Sequence, residues 1–472
     1  MSPQSNTLLQ VIPRFVPPLD PGFRPMVLGN GRYRAAVAQS AETAVVTIGI
    51  ERNAGLVHCT ALEIFAPGSA HDEESYTYVE RTLKFLLWSR GGWKIYIAGP
   101  STITARIKTA YQPGGARAFD ADLMAQAYGR PFEVEIVDAA AVPPAKESGL
   151  ALGGHWHGCR IGFDLGASDY KVTAVINGEP IFSTEIPWDP TVQADPTYHK
   201  QHIWDGLQLA AAKLPRVDAI GGSSAGIWVD NQPMVASLFR SIIKKHPDQF
   251  ETLIKPMFMQ FGEAFGVPIE VINDGDVTAL AGALSLETHG MLGIAMGSSE
   301  AVGFLSKAGV IMGWLNELAF APIDYNPAAP PDEWSGDHGV GALYFSQQAV
   351  NKLAPAAGYQ FPDTMGLPIR LKAVQAAADM DDAATLQIFE SIGIYLGYSI
   401  AHYADFYDFD HLLILGRVTS GRGGEIILAK ANEVFQDEFP ELAARIELHV
   451  PDEKSRRVGQ AVAAASLPSM GK

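Results

Sequence analysis

Cysteine and long apolar runs are both scarce in this chain. Its 472 residues include two cysteines, Cys59 and Cys159. Two thiols cannot form a disulfide framework, nor can they supply the ligands of a cysteine-based zinc site. No apolar run approaches the roughly 18 residues that a membrane-spanning helix needs, and the first residues lack the basic start and apolar core of a signal peptide. These absences predict a cytoplasmic protein with no membrane partner.

Positive charge is also in short supply. The chain has 35 Lys and Arg residues against 52 Asp and Glu residues, which gives a net charge of −17. Such a surface repels nucleic-acid phosphates and anionic lipids, and no dense basic cluster overrides this repulsion. We therefore expect no nucleic-acid partner. Hydrophobic residues make up 47% of the chain, as in globular proteins, and its length predicts two or three domains.

The first third of the sequence predicts a small α/β unit. Proline-rich residues 1–30 predict an extended arm along the surface. The apolar patterns that follow predict four strands, one long helix and a second helical region. The predicted strands cover residues 41–51, 56–66, 93–99 and 132–139, and the long helix covers residues 72–89. Two prolines and three glycines in residues 142–154 then predict a linker.

The rest of the sequence repeats one arrangement twice. Residues 160–178 and 290–304 each have the pattern of a strand, a short polar turn and a second strand, and residues 179–188 extend the first hairpin. Further strands are predicted within residues 217–230 and at 268–274, and helices at 199–213, 235–265 and 276–286. This order predicts two lobes, each a mixed sheet flanked by helices.

The turn F-D-L-G-A-S at 163–168 joins the first two strands of the first lobe. An aspartate at a strand end, followed by glycine and small residues, lets backbone N–H groups approach phosphate oxygens. Asp164 can also hold a water of a hydrated Mg²⁺ ion. D-x-G turns occur in many ordinary hairpins, so the turn alone leaves both interpretations open.

The segment V-I-N-D-G-D at 271–276 delivers Asn273 and Asp274 from a strand to the start of a helix. A carboxylate at this point can accept the proton of a hydroxyl that attacks a γ-phosphate. Asp and Asn are also ordinary N-caps, so Asp274 or Asp276 can equally serve to cap the helix. The segment taken alone does not decide between a catalytic base and a cap.

Two further turns are rich in small residues. M-G-S-S-E-A-V-G at 296–303 joins two strands and is suited to a β- or γ-phosphate. In residues 411–426 a strand reaches Gly416, and a glycine-rich turn then starts a helix, where an adenosine can lie against bare backbone. Each turn is a weak signal, and the interpretation depends on the order and spacing of all four segments.

That order resembles the sugar kinase/hexokinase/heat-shock-protein/actin superfamily, and within it the ROK family (repressors, open reading frames and kinases). The resemblance covers roughly residues 160–472. Its most specific match is V-P-I-E-V-I-N-D-G-D-V-T-A-L-A-G-A-L at 267–284, which is similar to the family segment P-V-x-x-E-N-D-A-N-A-A-A-L-G-E. The first turn resembles the D-x-G-G-T phosphate motif, residues 219–230 resemble the stretch I-G-x-P-G-x-V-D, and residues 313–322 resemble G-x-A-G-E-I-G-H.

The resemblance implies an α/β chain with the two-lobed, actin-like ATPase (ribonuclease H-like) fold, preceded by an extra N-terminal α/β domain. The implied units are residues 1–152, an extension of unknown role; residues 153–286, the first lobe; and residues 287–472, the second lobe, whose last helix returns to the first. A unit that starts near Gly153 is expected to fold on its own. The resemblance also implies a homodimer.

The implied reaction is phosphoryl transfer from Mg·ATP to a hydroxyl of a sugar or sugar-like polyol. By resemblance, Asp274 is the catalytic base and Asp164 holds Mg²⁺ through water. The implied sugar-binding residues are Asn273, Ser224, Asn316 and Glu317. The implied ATP-binding residues are Asp164, Gly166, Ser168, Gly297 and Ser298 at the phosphates and Gly416 at the adenosine.

Three segments depart from the family pattern, and one of them is the adenosine turn, which keeps Gly416 but has Arg417 and Val418 in place of glycines. The zinc motif C-x-C-G-x-x-G-C-x-E appears here as W-S-G-D-H-G-V-G-A-L at 334–343, without cysteine, so no zinc is expected. The second phosphate turn has Ser299, Glu300 and Val302 where bare backbone usually meets phosphate, and Glu300 is expected to add a negative charge. The altered phosphate turn favours a rival function, a catalytically weak or inactive kinase-fold protein that senses a ligand or scaffolds partners, whereas the intact Asp274 and Asp164 favour the enzyme.

Overall fold

The structure is a computed structural model that describes residues 7–147, 152–235, 237–450 and 453–470. The strands in these ranges are β1 (Thr43–Glu51), β2 (Val57–Phe65), β3 (Lys94–Ala98), β4 (Glu133–Ile136), β5 (Cys159–Leu165), β6 (Asp169–Ile176), β7 (Glu179–Pro187), β8 (Ala219–Ser224), β9 (Ile227–Val229), β10 (Gln232–Val235), β11 (Ile269–Asn273), β12 (Met291–Met296), β13 (Glu300–Leu305), β14 (His411–Leu415) and β15 (Glu447–His449).

The helices in the same ranges are α1 (Met26–Val37), α2 (Asp72–Arg90), α3 (Ser101–Ala110), α4 (Ala118–Tyr128), α5 (Pro196–Ala211), α6 (Arg240–Lys245), α7 (Pro247–Gln249), α8 (Met257–Phe265), α9 (Asp274–Ser285), α10 (Gln347–Leu353), α11 (Leu367–Ala378), α12 (Ala383–Ala404), α13 (Gly421–Glu438), α14 (Pro440–Ala443) and α15 (Glu453–Ala465). None of them combines the length and the apolar character that crossing a membrane requires. The mixed sheets flanked by helices confirm the predicted α/β fold class.

The N-terminal part is built on a four-stranded sheet in the order β2-β1-β3-β4. β1 is antiparallel to β2 and β3, and β4 is parallel to β3. All four strands lie where the sequence predicts them. Helix α2 covers the sheet and is buried along most of its length, including the charged residues Arg81 and Lys84. A surface helix does not bury such residues, so α2 must be covered on a second side.

The first lobe is a five-stranded sheet in the order β11-β8-β5-β6-β7. β5, β6 and β7 form an antiparallel meander, whereas β8 and β11 run parallel to β5. The C-terminal helix α15 packs across β5 and β8. A Cβ atom at Gly162 or Gly221 would overlap the carbonyl oxygens of Ala461 and Ala464, so the close approach of this helix requires glycine at both positions.

The second lobe is a four-stranded sheet in the order β13-β12-β14-β15. β13 is antiparallel to β12. β14 is parallel to β12, and β15 is parallel to β14. After β13 the chain leaves this sheet and reaches helix α2, where the N–H of Leu315 donates to the carbonyl of Arg90 at 3.3 Å. The second lobe thus supplies the other side of α2.

One continuous hydrophobic core joins the N-terminal sheet to the second lobe. Phe85 of α2 stacks on Phe406 with ring centroids 4.1 Å apart, and Trp88 packs on Phe320 at 4.6 Å. The sheet of the first lobe has a core of its own. The predicted division of the chain at residue 153 stays a prediction. The N-terminal part and the second lobe nevertheless share one hydrophobic core across this boundary.

Two local expectations are wrong. The single helix predicted over residues 235–265 is instead strand β10 followed by the short helices α6, α7 and α8. Pro247 and Pro256 lie within this stretch, and proline cannot continue a helix because it lacks the N–H group and clashes with the preceding turn. The extended arm predicted for residues 1–30 ends earlier in the described part, because α1 begins at Met26.

Candidate active site

Three parallel strands of the first lobe end at the same edge. The register pairs Asp164 of β5 with Ser223 of β8, and Ser224 of β8 with Asn273 of β11. Asp274 follows directly as the first residue of α9. The sequence-predicted residues Asp164, Ser224, Asn273 and Asp274 are therefore brought together, although they come from three separate segments.

Asn273, rather than Asp274, is the N-cap of α9. Its side-chain oxygen accepts from the N–H of Gly275 at 2.7 Å, and its amide nitrogen donates to the carbonyl of Gly226 at 2.8 Å. The sequence left open whether Asp274 or Asp276 caps the helix. Asn273 provides the cap instead. Burial and the nearby charge of Asp164 raise the pKa of Asp274 to about 6.

Asp276 is buried in the first turn of α9, and its side chain holds the neighbouring loop. Its carboxylate accepts from the N–H of Phe304 at 3.1 Å and from the amide of Asn316 at 3.0 Å. The oxygen of Asn316 in turn accepts from the Tyr407 hydroxyl at 3.0 Å. Burial raises the pKa of Asp276 to about 7. Both polar groups of the Asn316 side chain are engaged in this chain of bonds, which therefore orients Asp276.

Glu317 lies beside the two aspartates of α9. Burial and the charges of Asp274 and Asp276 raise the pKa of Glu317 to about 8, so its carboxyl carries a proton near pH 7. A protonated carboxyl donates a hydrogen bond as well as accepting one. The group can therefore bind a neutral hydroxyl without adding a further negative charge next to Asp274.

The N-terminal part positions this loop, a contribution that the sequence did not predict. The N–H groups of Asn316 and Glu317 donate to the carbonyls of Ser89 and Trp88, each at 3.0 Å. These carbonyls belong to the last turn of α2, whose acceptors have no partner within the helix. The backbone of Asn316 has a φ of 53°, in the left-handed region that asparagine tolerates. No sequence motif identifies a bond between two loop amides and a distant helix end.

Hydrogen bonds hold the first turn in its conformation. The N–H of Gly166 donates to the carbonyl of Asp169 at 3.0 Å, and the indole of Trp188 donates to the carbonyl of Gly166 at 2.7 Å. The hydroxyl of Ser168 donates to the Asp169 carboxylate at 2.9 Å. Burial raises the pKa of Asp164, which lies at the strand end beside this turn.

Lys171 is a residue of this turn region that the motif search missed. Its ammonium group lies 3.9 Å from the Asp164 carboxylate. The two residues form a cross-strand pair in the β5–β6 hairpin, so the register of the hairpin could have identified Lys171. The lysine places a positive charge next to the turn that is predicted to face phosphate.

The turns of the second lobe also lie side by side. Gly297 follows β12 and Gly416 follows β14, and these strands are parallel neighbours. Gly416 has a φ of 110°, and a Cβ atom there would overlap the backbone of Met296. The N–H of Gly297 donates to the carbonyl of Ser299 at 3.0 Å. Ser298 and Ser299 are the exposed side chains of this turn.

Glu300 does not add a negative charge to the turn, so that expectation is wrong. Its side chain is 2% exposed and points inward, where one carboxyl oxygen accepts from the Tyr403 hydroxyl at 3.2 Å. Burial, opposed by this hydrogen bond, raises the pKa of Glu300 to about 8. Glu300 is the first residue of β13, and the alternation of side chains along a strand turns it into the core.

Residues 334–343, the segment expected to lack zinc, form ion pairs with side chains of the N-terminal part. Asp337 lies 2.7 Å from Arg81, 3.0 Å from Lys84 and 2.9 Å from Arg117. Arg81 also donates to the carbonyl of His338 at 2.6 Å. These cations hold the pKa of Asp337 far below its usual range. A buried carboxylate thus fixes this loop to helix α2.

Comparisons with known proteins agree with this architecture. No protein-family model matches the chain. No curated protein matches it at the significance threshold either. Among solved structures, a ROK-family transcriptional regulator, described as a homologue of the E. coli MLC protein, matches 65% of this chain and 77% of its own with 18% identity and a TM-score of 0.51. A ROK hexokinase from Thermus thermophilus matches 65% of this chain and 98% of its own with 16% identity and a TM-score of 0.50.

At these identities the likeness defines the fold. One of these structures is a transcriptional regulator and the other is a hexokinase, so the fold alone is compatible with either activity. Over 65% of its length the chain has the fold of the ROK hexokinase and of the ROK regulator.

Proposed function

We propose that this chain is a kinase that transfers the γ-phosphate of ATP to a hydroxyl of a sugar or sugar-like polyol, with Asp274 as the base. One observation carries the proposal. Asp274 heads α9 with its capping role already filled by Asn273, and its pKa of about 6 suits a base that works near neutral pH. A carboxylate of ordinary pKa is a weaker proton acceptor than one raised toward the working pH.

The residues around Asp274 suit a polyhydroxylated substrate. Glu317 offers a protonated carboxyl, and Asn273 and Ser224 lie on neighbouring strand ends. The Ser224 hydroxyl is buried and makes no hydrogen bond to another described group. An unsatisfied hydroxyl of this kind costs free energy until a ligand supplies a partner, which favours a ligand rich in hydroxyl groups.

The glycine turns of the two lobes suit a polyphosphate. Asp164 and the Gly166 turn lie at one edge, and the Gly297 and Gly416 turns lie at the ends of adjacent strands in the second lobe. Asp164 is a suitable ligand for the water shell of Mg²⁺, which prefers oxygen donors. Mg²⁺ held there would neutralise charge on the transferred phosphate, and Lys171 places a positive charge beside Asp164.

A second function has support from one turn. The N–H of Gly297, which a phosphate would need, already donates to Ser299, and two serine side chains project from the same turn. This arrangement favours a kinase-fold protein that senses a sugar or scaffolds partners with little or no catalysis. The buried position of Glu300 removes the charge repulsion that would have strengthened this alternative.

Asp274→Asn separates the two functions. The kinase proposal predicts that sugar-dependent ADP release, found by screening sugars with Mg·ATP, falls at least about 100-fold while the melting temperature is unchanged. Asp205→Asn, an exposed change on α5 of the same lobe, is the matched control and keeps full activity. Activity near wild type in Asp274→Asn would refute the base, and a wild-type chain that binds sugar without ADP release supports the sensor.

A further inference from the structure

The outer edge of the second lobe brings together two histidines and a glutamate. His411 is the first residue of β14, and Glu447 and His449 are the two ends of the short strand β15. The parallel register pairs His411 with Glu447 and Leu413 with His449. Because side chains alternate along a strand, Glu447 and His449 project from the same face of the sheet as His411.

The ligand atoms of these three side chains converge. Nδ1 of His411 lies 3.0 Å from Nε2 of His449, and a carboxylate oxygen of Glu447 lies 3.9 Å from each of these nitrogens. Two imidazole nitrogens bound to one tetrahedral zinc ion at its usual bond length lie about 3.3 Å apart. The nitrogens are therefore already close to the separation that one metal ion imposes.

The nearby cations pair with other carboxylates rather than with Glu447. Lys307 and Arg445 both lie nearby, and both form ion pairs with Asp408 and Asp410. In the described part of the chain, the ion pairs of Glu447 are those with the two histidines. Glu447 is 71% exposed, so its carboxylate is free to move the short distance that bidentate or monodentate ligation needs.

We propose that His411, Glu447 and His449 bind one divalent transition-metal ion, of which Zn²⁺ is the expected species, with water completing a four-coordinate site. Two imidazoles and one carboxylate suit zinc and its neighbours, whereas Mg²⁺ and Ca²⁺ prefer oxygen ligands throughout. This site lies outside residues 334–343, the segment whose lack of cysteine gave the expectation of no zinc.

The proposed ion has a structural role. β15 has three residues and is the edge strand of its sheet, and the ion would fasten it to β14 by side chains as well as by backbone bonds. The same β14 leads to Gly416 at its other end, five residues further on, about 17 Å away along an extended strand. The site is therefore separate from the proposed catalytic centre, and its existence does not depend on the kinase activity.

Metal titration of the full-length protein tests the proposal. The chain is stripped with EDTA, and Zn²⁺ is added in the presence of a competing chelator while heat is measured by calorimetry. We expect one Zn²⁺ ion per wild-type chain. Removal of an outer-shell partner of a metal site lowers metal affinity about 10- to 100-fold, and the loss of a ligand in His449→Ala should lower it at least as much. His246→Ala, an exposed histidine of the first lobe, is the matched control and binds like wild type.

A spectroscopic readout covers the case in which a variant folds poorly. Co²⁺ replaces Zn²⁺ in tetrahedral sites and gives visible absorption that reports nitrogen ligation, so Glu447→Gln and His411→Gln are compared with wild type at equal circular dichroism. Weaker or altered bands in both variants support the site. Stoichiometric Zn²⁺ binding that persists unchanged in His449→Ala, or no Zn²⁺ binding by the wild type, overturns it.

Discussion

Arg81 of helix α2 donates a hydrogen bond of 2.7 Å to Asp337, a residue 256 positions further along the chain. Lys84 and Arg117 contact the same carboxylate. The loop that carries Asp337 resembles a zinc-binding segment in the ROK family, where thiolates would fix it. Here the N-terminal part fixes it with three cations, and the same helix also holds Asn316 and Glu317 through its last carbonyls.

Asp337→Asn should destabilise the protein strongly. The change removes the negative charge shared by Arg81, Lys84 and Arg117, and it leaves buried cations without full compensation. Breaking a buried ion pair in this way costs about 3–5 kcal/mol, whereas breaking an exposed pair costs about 1 kcal/mol or less. Urea denaturation of Asp337→Asn, compared with the exposed Arg14–Asp437 pair in Asp437→Asn, measures the difference. Equal midpoints for the two variants would show that Asp337 contributes no more than a surface charge.

The same carboxylate predicts loss of stability in acid. The pKa of Asp337 is lowered in the folded protein, so its stabilisation is complete above its unfolded value of about 3.9 and is lost as the pH falls below that value. The stability gap between wild type and Asp337→Asn should therefore be widest above about pH 5 and narrow toward pH 2. Thermal melting of both proteins across this range measures the gap. A gap that stays constant with pH means that Asp337 titrates normally.

A shortened chain that begins at Gly153 should fail to fold, in contrast to the independent folding suggested by the sequence. Removal of the N-terminal part exposes one side of a shared core that includes Phe320 and Phe406, and it removes the partners of Asp337. Expression of the shortened chain and circular dichroism with thermal melting test this. A cooperative melting transition close to that of the full chain would show that the second lobe is stable without α2.

The sequence predicted the framework of the site because local patterns encode it. The strand–helix junction at Asn273 and Asp274 follows from an apolar run that ends in polar residues, and the two hairpins follow from their turn residues. The order of the segments resembles that of the sugar kinase/hexokinase/heat-shock-protein/actin superfamily, and this resemblance implied the two-lobed fold. In the N-terminal part, alternation located all four strands of the sheet.

Tertiary contacts account for what the sequence did not reveal. The bonds from α2 to Asn316 and Glu317 join segments that lie far apart in the chain, and no spacing rule connects them. Glu300 appeared to be a turn residue because its position relative to the start of β13 was unknown, and a shift of one residue reverses the face of a strand. His411 and His449 likewise meet only through the register of β15.

Lys171→Met should weaken the binding of ATP more than the binding of sugar if the protein is a kinase. Lys171 lies beside Asp164 at the first turn, and loss of a hydrogen bond to a charged group costs about 1.5–3 kcal/mol, or roughly 10- to 150-fold in affinity. The expected result is a raised KM for ATP with a nearly unchanged KM for the sugar. Lys213→Met, an exposed lysine after α5, is the matched control. Equal effects of Lys171→Met on both KM values would indicate a general loss of the fold around β6.

The pH dependence of the reaction should report the environment of Asp274. A base must be ionised, and burial together with the charge of Asp164 raises the pKa of Asp274 to about 6. The logarithm of kcat/KM should therefore rise with unit slope below about pH 6 and level off above it, since this ratio reports the free enzyme. Asp164→Asn removes a negative charge next to Asp274 and should lower the pKa of Asp274. The rising limb of the pH profile, measured on the residual activity of this variant, should therefore move to lower pH. A limb near the ordinary aspartate value of about 3.9 in the wild type would mean that Asp274 is solvated like a surface residue. A limb that does not move in Asp164→Asn would mean that another group controls the rate.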